Sequence, residues 1–138
     1  MSGHQFEDYY ARLLASLGWT RIEVIVRRSG GDGGADILAT SPRGHHFAIQ
    51  CKRYALDKPV DIDAIRKLNG ALAHEHPGRR GMIVTTSRLT APAQGLAARS
   101  GVEVVARPAL ANQMARVRQA AGQGNARAAM ATLSPELP

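Results

Sequence analysis

Three side chains have the types and spacing to act on a phosphodiester: Asp36, Gln50 and Lys52. Asp36 follows a run of glycines in Gly33-Gly34-Ala35-Asp36-Ile37-Leu38, and Gln50 and Lys52 bracket Cys51 in Phe47-Ala48-Ile49-Gln50-Cys51-Lys52. Both stretches read as strands, along which side chains alternate between faces. Asp36 then shares a face with Leu38 and Thr40. Gln50 shares one with Lys52, while Phe47, Ile49 and Cys51 point the other way. If the two strands pair, the three polar groups converge at one end of a sheet. Burying a carboxylate and a lysine is costly unless they are paired or bound to a metal.

Mg²⁺ suits such a place. It takes oxygen ligands, keeps waters, and is held by few carboxylates together with substrate phosphate. On this reading Asp36 is the bridging ligand, and the Gln50 side-chain oxygen and the Cys51 backbone carbonyl complete the protein's share. Lys52 beside the ion would lower the pKa of an attacking water or stabilise charge on the phosphoryl oxygens. An Asp–Lys pair at a sheet edge explains the same residues without catalysis. The spaced trio alone does not separate the two.

The elements that must position these groups follow from periodicity. Phe6, Tyr9, Tyr10, Leu13, Leu14 and Leu17 recur at helical spacing, and Gly18 is a stop. Residues 21–28 alternate, with Ile22, Val24 and Val26 on one face, as a strand does. The glycine loop leads to a second strand over 35–40, and Ser41-Pro42-Arg43-Gly44 turns into a third over 46–54. These three form an antiparallel meander. A helix over 60–76 follows, with Asp61 as N-cap and Ile62, Ile65, Leu68 and Leu72 as its stripe. Then come a buried strand over 82–86, a helix over 90–100 capped by Thr90 and ended by Gly101, a strand over 102–105 and a last helix marked by Leu110, Met114 and Val117. Strands flanking a helix imply a right-handed crossover and a parallel pair. The expected fold class is therefore α/β: a mixed sheet, a three-strand antiparallel meander plus parallel strands, flanked by helices. Residues 1–121 make the folded domain. Residues 122–138, rich in Ala, Gly and Pro, read as a tail.

Bulk properties narrow the partners. The 138 residues suit one core, and a net charge of +7 directs the domain toward polyanions, nucleic acid first. Aromatic residues make up only 4%, which argues against base stacking as the main binding device. Arg53 and Lys58, next to the trio, are the best placed of the basic residues to touch phosphates; Arg27, Arg28, Arg66, Lys67, Arg79 and Arg80 are further candidates. A single cysteine excludes an internal disulfide, and neither a secretory leader nor a run of about 20 apolar residues is present. The expectation is a soluble, cytoplasmic protein with DNA as its partner and no membrane. His45-His46 and His74-Glu75-His76 lack a third ligand nearby and read as ordinary surface groups, the second pair as helix C-terminal residues. Thr85, Thr86 and Ser87 end a strand and could equally form a turn or touch a phosphate.

The blocks Phe6-Glu7, Gly31-Asp32-Gly33-Gly34-Ala35-Asp36-Ile37-Leu38 and Phe47-Ala48-Ile49-Gln50-Cys51-Lys52-Arg53-Tyr54, with Val84-Thr85-Thr86-Ser87 further on, resemble the catalytic domain of Mrr-type restriction endonucleases. These belong to the PD-(D/E)xK nuclease superfamily, in the branch where Gln replaces the second acid. The resemblance spans about residues 5–118. It implies a Mg²⁺-dependent DNA endonuclease, with Mn²⁺ able to substitute, acting in DNA restriction, defence or DNA processing. It maps Asp36, Gln50 and Lys52 onto the catalytic motif and Glu7 onto the first-helix acid that supports the metal site. Gly33 and Gly34 would permit a tight loop and a close approach of the DNA backbone. Asp32 reads as a turn former. The chain departs from the family at Ala106-Arg107-Pro108, where relatives often place an Asp-Gly turn, and has no room for the separate recognition domain of full-length members. Two other readings stand beside the leading one. One is a structure-selective nuclease similar to Holliday-junction resolvases, which share the fold and work as dimers; here the last helix is a candidate dimer interface. The other is a DNA-binding module that kept the fold and lost catalysis.

Overall fold

The computed structural model of the chain describes residues 1–26 and 34–122. Arg27, Arg28, Asp32, Gly33 and the tail over 123–138 lie outside the described residues.

Helix α1 (Gly3–Ser16) starts three residues earlier than the apolar stripe suggests. The cause is a capping box: the Ser2 hydroxyl accepts from the Gln5 amide at 3.1 Å, and the Gln5 side chain accepts from the Ser2 amide at 2.6 Å. The helix buries Phe6, Tyr9, Tyr10, Leu13 and Leu14 on one face. Burying each aliphatic or phenyl side chain contributes about 1.5–3 kcal/mol.

The meander forms as expected: β1 (Thr20–Val24), β2 (Ile37–Thr40) and β3 (His46–Lys52) pair antiparallel in chain order. Strand β4 (Arg80–Thr85) runs parallel to β3, and β5 (Glu103–Val105) parallel to β4, giving the sheet order β1-β2-β3-β4-β5. Helices α2 (Ile62–His74) and α3 (Ala91–Ser100) make the crossovers, and α4 (Arg107–Gly122) closes the described chain. Their caps are those read from the residues. The Asp61 carboxylate accepts from the Asp63 amide, the Thr90 hydroxyl accepts from the Ala93 amide, and Gly101 ends α3 at φ 72°.

The sheet is covered on both sides. Ile37, Phe47, Ile49, Met82 and Val84 pack with α1 and with Leu110 and Val117 of α4. Ile83 packs against Ile65 and Leu68 of α2 and Ala93 and Ala97 of α3. A smaller cluster joins Ala35, Ala48 and Ala71. The Tyr10 hydroxyl donates to Gln113 at 2.9 Å and ties α1 to α4. No described helix is long and apolar enough to cross a membrane.

Two strand ends differ from the sequence reading. β1 ends at Val24. Its register breaks between Thr20 and Glu23, where Arg21 adopts φ 50° and forms a bulge. Ile22 and Val24 keep the face toward the α1 core and Ile25 packs beside the Ala35 cluster, but Val26 lies past the strand's end and is 89% exposed. β3 ends at Lys52, so Arg53 and Tyr54 belong to the following loop.

Candidate active site

The β2–β3 register sets the site. Ile37 pairs with Ile49, which places Asp36 and Gln50 opposite one another just past the start of β2. The Asp36 backbone is held on both sides. Its amide donates to Ile49 at 2.7 Å, and its carbonyl accepts from the Ile25 amide at 2.8 Å. Its carboxylate in turn accepts from the Cys51 amide at 2.8 Å. Asp36 is therefore fixed by two bonds to β3 and one to Ile25 after β1, half-buried and beside Gln50. The sequence reading assigns Cys51 only a backbone carbonyl. Its thiol is buried, and burial first, then Asp36 and Glu7, push its pKa well up. Its amide is the group seen to engage Asp36.

Glu7 comes to the same place from a different element. Helix α1 packs on the Ile49 and Cys51 face, and the Glu7 side chain is only 14% exposed. Burial, then the Asp36 charge, raise the Glu7 carboxyl above its ordinary 4.5, with Asp8 adding to the rise. His4, whose Nδ1 lies 3.6 Å from the carboxylate, opposes the rise. Two carboxylates that repel one another in a half-buried setting are a pair that a cation relieves.

Gln50 is 3% exposed, and its Oε1 is buried without a hydrogen-bond partner among the described residues. Such an orphaned oxygen costs about 1–3 kcal/mol. Gln50 sits opposite Asp36 in the β2–β3 register. Glu7, Asp36 and Gln50 together offer the hard oxygen donors that Mg²⁺ or Mn²⁺ takes. These residues fit a divalent cation. No cluster of three His, Cys, Asp or Glu side chains that could hold a metal ion exists among the described residues.

Lys52 is the last residue of β3, on the same face as Gln50, and pairs with Thr85 of β4. Its Nζ lies 5.9 Å from the centroid of the Tyr54 ring, and Lys58 Nζ lies 4.7 Å from the same ring. Both are within cation–π range of about 6 Å. Tyr54 thus carries two ammonium groups at the mouth of the site, with Arg53 and Lys58 exposed.

Residues 85–87 have a task the sequence reading did not assign. Thr85, Thr86 and Ser87 are buried. The Thr86 hydroxyl accepts from the Tyr54 amide at 2.9 Å and donates to the Tyr54 carbonyl at 2.8 Å. The Ser87 hydroxyl donates to the Lys58 carbonyl at 3.0 Å. The end of β4 therefore grips the loop after Lys52 by its backbone. A run of small hydroxyl residues directly after a buried apolar strand was the available signal. Their burial leaves the turn as their role and removes them as phosphate contacts.

Gly34 also has a structural reason. It adopts φ +86° and is buried, and a Cβ there would collide with the Lys67 carbonyl of α2. The close approach that glycine permits here is to α2. Gly33 lies outside the described residues. His74 stands in the last turn of α2, as expected.

No curated protein matches the chain. Among solved structures, MspJI restriction endonuclease in complex with a 27-mer oligonucleotide is similar at 25% identity and TM-score 0.66, over 96% of this chain and 32% of that one. The DNA modification-dependent restriction endonuclease AspBHI is similar at 21% identity and TM-score 0.57, over 79% of this chain and 30% of that one. A repair endonuclease from Pyrococcus abyssi shares the fold at 19% identity and TM-score 0.52, over 77% of this chain and 46% of that one. The chain thus spans about a third of the length of the two restriction enzymes. The family model of the Mrr catalytic domain, described as restriction endonuclease, matches residues 1–114. With that match over most of its length, the chain belongs to the Mrr-type restriction endonuclease catalytic-domain family.

Proposed function

We propose that this domain is a divalent-metal-dependent DNA endonuclease that hydrolyses phosphodiester bonds, with Mg²⁺ as its ion and Mn²⁺ able to substitute. The observation that carries the reading is the orphaned Oε1 of Gln50 set beside Asp36, with Glu7 closing on Asp36 from α1. Asp36, Gln50 and Glu7 would hold the ion, with the Cys51 carbonyl as a further oxygen. When bound, the ion supplies Lewis-acid charge at the scissile phosphate.

The protein's own groups do the rest. The Cys51 amide holds the Asp36 carboxylate against β3. Lys52 sits at the end of β3, where its ammonium orients a water or offsets charge on the phosphoryl oxygens. Tyr54 keeps Lys52 and Lys58 near one aromatic face, and the Thr86 grip fixes Tyr54. Arg53 and Lys58, exposed on that loop, would meet flanking phosphates and make binding salt-dependent. The basic balance of +7 supports DNA as the partner.

The test is a cleavage panel. Supercoiled, linear and four-way-junction DNA are incubated with Mg²⁺, with Mn²⁺ and with chelator, using wild type, Asp36→Ala and Lys52→Ala. Metal-dependent cutting by wild type and loss in both variants is expected. Equal cutting by all three proteins, or cutting in chelator, would sink the site assignment. Salt-dependent DNA binding with no cutting on any substrate would instead identify a module that kept the fold without catalysis.

A further inference from the structure

Beside the sheet lies a cavity of about 460 Å³ that the proposed reaction does not use. On β3 it opens at Phe47, about 17 Å from Lys52 at a rise near 3.3 Å per residue, and on β5 it reaches Val105, which is in register with Val84. Its apolar wall is Trp19, Phe47, Met82 and Val105. The Trp19 and Phe47 rings meet at 5.2 Å between centroids and 56° between planes. Around this wall stand Arg43 from the β2–β3 turn, Arg80 from the start of β4 and Arg116 from α4, three guanidiniums from three separate elements. The lone carboxylate in the lining is Glu103, and no salt bridge joins it to these arginines among the described residues.

Three cations gathered about one carboxylate repel one another unless an anion joins them. A volume of this size falls within the range of about 300–1,000 Å³ that small-molecule sites occupy. An aromatic wall with a rim of guanidiniums suits one chemistry above others: a flat heteroaromatic ring carrying a phosphate. The ring lies against half-buried Trp19, which the buried Phe47 backs, and the phosphate takes charge-assisted hydrogen bonds from the arginines. We propose that this cavity is a second binding site, separate from the cleavage site, for a nucleoside phosphate. The unit is either a free mononucleotide or the terminal nucleotide of a strand.

Trp19 is the only tryptophan, so its emission excited at 295 nm reports this cavity directly. The full chain is titrated in chelator with dAMP, deoxyadenosine, inorganic phosphate, and single-stranded oligonucleotides with or without a 5′-phosphate. No cleavage is read, so the outcome is independent of whether the domain cuts DNA. Expected are a saturable change with dAMP, at least tenfold weaker binding of deoxyadenosine, and competition by inorganic phosphate without a spectral change of its own. Saturation by the 5′-phosphorylated strand at lower concentration than dAMP names nucleic acid as the source; the reverse order names the free nucleotide. The exposed pair Arg80→Gln and Arg116→Gln, with an unchanged circular-dichroism spectrum, should weaken binding at least tenfold. No saturable change with either phosphate ligand, or unchanged affinity in that double variant, overturns the proposal.

Discussion

Replacing Gln50 by leucine separates what this residue costs the fold from what it offers a cation. Gln50 is 3% exposed, and its Oε1 finds no partner among the described residues. A buried polar atom without a partner destabilises by about 1–3 kcal/mol, and leucine of similar size removes it. Imperfect shape returns less than about 1.5 kcal/mol of that gain. The net expectation for the metal-free protein is a stabilisation of about 1 kcal/mol. For a domain of this length that is a rise of about 3–6 °C in Tm. In excess Mg²⁺ the order reverses. Wild type gains about 2.7 kcal/mol at a hundredfold excess over its dissociation constant, while the leucine variant, short of a ligand, gains much less. Thermal melts followed by circular dichroism, in chelator and in Mg²⁺, read both terms, and the cleavage assay runs beside them. A leucine variant that melts lower than wild type in chelator would refute the reasoning, since Oε1 would then have a partner worth more than its burial costs. A variant whose melt responds to Mg²⁺ as wild type does would remove Gln50 from the ion's ligands.

Three further perturbations test the surrounding structure. Burial and the Asp36 charge raise the Glu7 carboxyl above 4.5. The neutral form is thus favoured in the folded state, and its stabilising contribution is present below pH 4.5 and lost as pH climbs through the raised value. Glu7→Gln should therefore melt higher than wild type at pH 7 without metal and equal to it near pH 4; a lower melt at pH 7 counts against the repulsion between Glu7 and Asp36. Thr86→Val deletes two hydrogen bonds to the Tyr54 backbone and should cost about 1–3 kcal/mol. Hydrogen exchange at the Tyr54 amide should accelerate with it, and unchanged exchange would mean that the grip is not what holds the loop. Gly34→Ala places a Cβ against the Lys67 carbonyl at a positive φ and should destabilise by more than about 1–2 kcal/mol. A denaturant midpoint equal to wild type would contradict the packing against α2.

The chain itself determined most of the architecture, because local chemistry and periodicity agree along it. Ser2 and Gln5, Asp61, Thr90 and Gly101 punctuate the helices in ways that depend on near neighbours only. The spacing of Asp36, Gln50 and Lys52 places them at one sheet end once β2 and β3 pair. Register follows from the burial of Ile37 and Ile49 on a shared face, since a slip of one residue would put them on opposite faces. Tertiary structure decided what no local pattern encodes. The sheet ended β1 at Val24, so Val26 was left exposed while Ile25, bonded to the Asp36 carbonyl, packs beside the Ala35 cluster. The need for glycine at Gly34 came from α2, more than 30 residues away in sequence. Thr86 reached back to Tyr54 only because β4 lies parallel beside β3. The approach of Glu7 to Asp36 is likewise a matter of how α1 lies on the sheet. The fate of Gln50 Oε1 is the same kind of fact. A side chain's type fixes what bonds it can make, and only the packed surroundings decide whether a partner is there to make them.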